Sequence, residues 1–104
     1  MDRALAPNLR IVFPKPGFFL TDVRFVIMLD GHIVYDGGFM QGVDLYLPVT
    51  TGPHVVSTRI DLGVISRSRD YPVHVPPGQA FSLELEYSRF WGNFTKKPKL
   101  VAHA

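Results

Sequence analysis

The chain has 104 residues, no cysteine, and 11 Lys and Arg against 9 Asp and Glu. That length points to one domain able to bury roughly 65% of its unfolded surface without staples. The missing cysteines exclude disulfides, thiolate metal sites and a cysteine nucleophile; 46% hydrophobic and 19% charged residues exclude a disordered chain, and no apolar run approaches the ~20 residues of a membrane-spanning helix.

Residues 1–8 read as a loose N-terminal arm. They contain no apolar stretch of secretory type, so the expected compartment is the cytoplasm. Leu9, Ile11 and Phe13 alternate with polar or smaller neighbours and predict a first strand, which Pro14, Pro16 and Gly17 stop. Phe18, Phe19 and Leu20 follow as a short apolar run, either a bridging segment or an exposed loop tip.

Val23 to Leu29 is β-branched and aromatic on both faces, as in a central strand covered on both sides. Asp30-Gly31 then separates two apolar runs. Such a pair supplies the two positive-φ positions of a type I′ turn and predicts a hairpin. After Asp36-Gly37-Gly38, Val43, Leu45, Leu47 and Val49 share one face of a period-2 strand. Thr50 to Pro53 turn the chain, and Val56, Thr58, Ile60 and Leu62 face one way while Ser57, Arg59 and Asp61 face the other. Gly63 to Asp70 reads as a polar connection with one apolar pair.

Tyr71 to Val75 alternates again, and Pro72 assigns it to a sheet edge. Pro76-Pro77-Gly78 is the next turn. Phe81, Leu83, Leu85 and Tyr87 alternate with Ser82, Glu84, Glu86 and Ser88 in the last long strand. The pattern breaks at Arg89, and residues 95–104 read as a basic C-terminal tail. Nowhere do ten consecutive residues show helical periodicity. The expected fold is all-β: a single small antiparallel β-sandwich (Ig-like) of about seven strands, with little or no helix.

Asp30-Gly31, Gly52-Pro53-His54-Val55-Val56 and Val75-Pro76-Pro77-Gly78 together resemble small bacterial β-sandwich domains of the PEGA type. The resemblance covers about residues 9–88 and rests on turn chemistry. Thr50-Thr51-Gly52-Pro53 departs from the usual Pro-Gly turn, and the segment from Phe90 onward has no counterpart. It implies an adaptor or scaffold module without catalysis, and it carries over no functional residues.

His32, His54, His74 and His103 have no metal-ligand spacing, so they read as turn or surface histidines, and no metal or cofactor is expected. Most acids fall at turns or on polar strand faces. Glu84 and Glu86 share a face, where they suit solubility and edge protection better than glycoside hydrolysis. The most suggestive segment is Arg89 to Lys99, in which Phe90, Trp91 and Phe94 interleave with Arg89, Lys96, Lys97 and Lys99. Its bland reading is that the aromatics close one end of the sandwich while the lysines are solvated.

The sequence therefore predicts a non-enzymatic module acting through protein–protein contact, with self-association as one form of it. The motivating residues are the aromatics Phe18, Phe19, Phe39 and Trp91, read as exposed, and the strand edges. The alternative is a polyanion- or carbohydrate-binding module built on Arg89, Phe90, Trp91, Phe94, Lys96 and Lys97.

Overall fold

A computed structural model describes residues 8–15, 22–88, 93–94 and 99–103. Among them there is no helix, and therefore none long and apolar enough to cross a membrane. The strands are β1 (Leu9–Phe13), β2 (Arg24–Leu29), β3 (His32–Gly38), β4 (Val43–Leu47), β5 (Gly52–Asp61), β6 (Ser66–Val75), β7 (Ala80–Glu84), β8 (Tyr87–Ser88), β9 (Asn93–Phe94) and β10 (Lys99–His103). One sheet has the order β10-β7-β1-β4 and the other β3-β2-β5-β6, with β8-β9 as a separate pair. The fold is a small all-β sandwich.

Period-2 alternation builds the core. Leu9, Ile11 and Phe13 of β1 and Phe81 and Leu83 of β7 face Phe25 and Ile27 of β2, Val56 and Ile60 of β5, and Tyr71, Val73 and Val75 of β6. Phe13, Phe25, Phe39 and Phe94 gather at one end. Phe25 and Phe94 stack at 4.9 Å, and Phe13 and Phe39 lie 5.0 Å apart. Each such pair contributes about 0.5–1.5 kcal/mol beyond its area burial.

Asp30 and Gly31 take φ of 51° and 86°, as the turn between β2 and β3 requires. The β2 strand is central, and Phe25, Val26 and Ile27 are all buried. Val26 belongs to the outer face of its sheet, where the Arg24–Asp36 ion pair and Arg59 surround it.

Four expectations are corrected. The sandwich is not wholly antiparallel, because β1 pairs with β7 in parallel. Asn8 is not part of a loose arm: its side chain both donates to the Val49 carbonyl and accepts from the Val49 N–H, at 2.9 and 2.7 Å, which pins the start of β1. The connection after Gly63 is mostly strand, since β6 begins at Ser66 and pairs with β5 from Asp61 back to Gly52. Within the presumed tail, Lys99–His103 form β10, antiparallel to β7.

Hydrogen-bond parity explains Pro72. The Asp30 N–H donates to the Val55 carbonyl at 2.8 Å, so odd-numbered residues of β5 bond towards β2 and even-numbered ones towards β6. The register opposes Val55 to Pro72, so odd-numbered residues of β6 close onto β5. Pro72 therefore turns its missing N–H to the open edge, the position where proline costs a sheet nothing.

Candidate functional site

The polar clusters lie at the turns and on the outer faces of the two sheets. The Asp30 carboxylate is held in place by the hairpin turn. Its Oδ1 accepts from the Val55 N–H at 2.8 Å, and its Oδ2 accepts from His54 Nδ1 at 2.5 Å. On the other side of the ring, His54 Nε2 lies 2.8 Å from the Thr50 carbonyl, so it donates there. An imidazole that donates from both nitrogens is protonated. The hydrogen bond to Asp30 and the one to the Thr50 carbonyl raise the His54 pKa, and the same bond to His54 holds the Asp30 carboxyl below its usual range. The ring is 10% exposed, while Asp30 is 47% exposed. This is a clasp joining the β2–β3 turn to the β4–β5 turn.

On the outer face of the other sheet, Arg10 of β1 makes a bidentate pair with Asp44 of β4 at 2.8 Å, and its guanidinium sits 5.2 Å from the Tyr46 ring centroid. Arg24 and Asp36 form a similar pair across β2 and β3. Asp22 accepts from the Met40 and Val23 N–H groups and closes the β3–β4 loop. Each of these polar groups therefore has a structural partner. Among the described residues no His, Asp or Glu cluster could hold a metal ion.

The surface carries several depressions. One of about 210 Å³ lies beside Arg10, Tyr46 and Ser82, and another of about 270 Å³ beside Met28, Ser57, Arg59 and Asp70. The second is the more polar, with Ser57, Ser66, Ser68, Arg59 and Asp70 on the outer face of β5 and β6.

Of the residues singled out for binding, Arg89, Phe90, Trp91, Lys96, Lys97, Phe18 and Phe19 lie outside the described residues. Phe94 is 1% exposed and stacks on Phe25, so in this structure it is a core residue. Phe39, read from sequence as an exposed aromatic, is also core at 0% exposure. A Cβ on Gly38, just before it, would overlap the Asp22 carboxylate.

The exposed apolar residues lie elsewhere. Ile33 on β3 is 59% exposed and Val55 on β5 is 40% exposed. Register puts them on the same outer face, with Met28 opposite Ile33 and Pro72 opposite Val55. At the β5–β6 turn Val64 is fully exposed and Ile65 is half-exposed. The turn is closed by the Leu62 N–H donating to the Ile65 carbonyl at 2.7 Å. β2 and β5 pair last at Phe25 and Ile60, so this tip projects past β2.

Sequence reading passed over these residues. Val64-Ile65 stood out only as an apolar pair where turn chemistry favours Gly, Asn, Asp or Ser. Alternation along β3 and β5 gives Ile33 and Val55 their face, but not how far their neighbours leave them uncovered.

Comparison with protein-family models, curated proteins and solved structures finds no match for this chain.

Proposed function

We propose that the chain is a non-enzymatic interaction module of Ig-like, PEGA-type character that works through protein–protein contact. The observation that carries this reading is the apolar tip at Val64 and Ile65, together with Ile33 and Val55 on the outer face of the β3-β2-β5-β6 sheet. None of these side chains belongs to the core cluster. Aliphatic side chains exposed on a turn and a sheet face are the kind of surface that buries against another protein. The structural partners of Asp30, His54, Asp44 and Asp36 support the non-enzymatic half of the reading.

The test is partner capture by the purified full chain, compared with an Ile33→Ser/Val55→Ser version and a Val64→Ser/Ile65→Ser version. The proposal expects a protein retained by the native chain and lost by at least one of them. Equal capture by all three would contradict it. A salt-sensitive change in Trp91 fluorescence on adding oligonucleotide or glycan would favour the alternative built on Arg89 to Lys99.

A further inference from the structure

Of the four sheet edges, β3, β6, β4 and β10, two carry a feature that blunts pairing. The β6 edge lacks a donor at Pro72, and the β3 edge follows a register shift between Ile27 and Met28. Both features blunt strand addition. The β4 edge has neither. The Phe81 N–H donates to the Asn8 carbonyl and the Leu85 N–H to the Val12 carbonyl, both at 2.8 Å, so even-numbered positions of β1 bond towards β7 and odd-numbered ones towards β4. Leu9, Ile11 and Phe13 pair with Leu47, Leu45 and Val43. The backbone N–H and C=O groups of Asp44 and Tyr46 thus point to an edge that no strand among the described residues covers.

We propose that a second copy of this chain adds its own β4 to this edge, antiparallel and centred on Leu45, so that the two copies share one eight-stranded sheet. The register follows from chemistry. Centring on Leu45 places Asp44 opposite Tyr46 of the other copy and satisfies both donors and both acceptors on each side, four hydrogen bonds in all. Centring on Asp44 would set two carboxylates against each other. Centring on Tyr46 would oppose Asp44 to Pro48, which has no N–H. On the inner face, Leu45 meets its own symmetry mate and Leu47 meets Val43. Leu45 and Leu47 are only half-buried in the single chain and pack at the margin of the core, so pairing covers them. The charge that would deter pairing is already matched, since Arg10 holds both Asp44 oxygens. The result is an isologous two-fold contact.

This pairing rests on the reading of the chain as a protein-contact module and names one partner for it. A five-residue edge gives a small interface, so the expected dissociation constant is on the order of 10–100 µM.

The experiment is sedimentation velocity on the full chain up to about 1 mM, with amide exchange of Asp44 and Tyr46 followed over the same concentrations. The expected result is a monomer–dimer equilibrium in which both amides become protected as dimer forms. Tyr46→Pro removes an edge-facing N–H, as Pro72 does on β6, together with the ring beside Arg10, and weakens the dimer at least ~10-fold, whereas Tyr46→Ala, which loses the ring and keeps the N–H, weakens it far less. If Tyr46→Pro does not fold, amide exchange on the native chain decides by itself. A monomer throughout overturns the pairing, and so does a dimer whose Asp44 and Tyr46 amides stay unprotected. Either outcome leaves the contact surface at Ile33 and Val64 to its own capture test.

Discussion

Replacing His54 with Gln removes the clasp between the two turns and tests whether it is a structural ion pair. The native ring donates to Asp30 at 2.5 Å and to the Thr50 carbonyl at 2.8 Å while only 10% exposed. Glutamine keeps one donor and carries no charge. Asp30 is half-exposed, so water takes up much of what its carboxylate loses, and the expected cost is about 1–2 kcal/mol. For a domain of this size that is roughly 5–15 °C in melting midpoint.

The pH dependence is the sharper signature. His54 has a raised pKa, so its stabilisation is complete below the ordinary histidine range and is lost as pH rises through the raised value. Asp30 has a lowered pKa, so its stabilisation is complete above the ordinary carboxylate range and is lost as pH falls through the lowered value. The difference between native and variant should therefore peak between about pH 4 and 6.5 and shrink on both sides. Denaturant midpoints of the two proteins from pH 3 to 9, covering both ordinary ranges, measure it. A difference that is constant across this range, or that grows above neutrality, would refute the reasoning.

Phe25→Ala should cost about 3–5 kcal/mol in urea unfolding, because that ring contacts Phe13, Phe39, Tyr35 and Phe94 at 4.9–5.8 Å. Gly38→Ala should destabilise by about 0.5–1.5 kcal/mol, since its Cβ displaces the Asp22 carboxylate from the Met40 N–H; an Asp22→Ala/Gly38→Ala double variant, in which that clash is gone, should show a smaller penalty for the glycine change. Pro72→Ala should change stability by less than about 1 kcal/mol, because the restored N–H faces the open edge rather than β5. A thermal melt checks it, and a large loss would refute the assigned hydrogen-bond direction.

Several features of the fold could be read from single residues, because the deciding physics is local. Asp30-Gly31 can hardly be anything but a tight turn between apolar runs, and Pro72 can sit only where no ladder needs its N–H. What escaped the sequence is long-range. The parallel pairing of β1 with β7 joins Leu9 to Phe81, and no local pattern encodes it. β10 was hidden because its lysine-rich approach resembles a solvated tail until β7 is seen to lack a partner on that side. Phe39 sits between glycines and a polar loop, where composition argues for exposure, yet the loop folds its ring under Phe13 and Tyr87. The surface was the least legible part. Ile33, Val55, Val64 and Ile65 are ordinary strand-forming residues in sequence; strand register puts the first two on an outer face, and the turn between Asp61 and Ser66 puts the other two in solvent.

The most direct test of the central claim is photo-crosslinking in the source cell, with a photoreactive residue at Val64 or Ile33 and a control at the exposed turn residue Gln79. A contact surface at the apolar tip and sheet face predicts a discrete protein adduct from Val64 or Ile33 that the Gln79 control does not give. Identical adduct patterns at all three positions, or none at any, would contradict it.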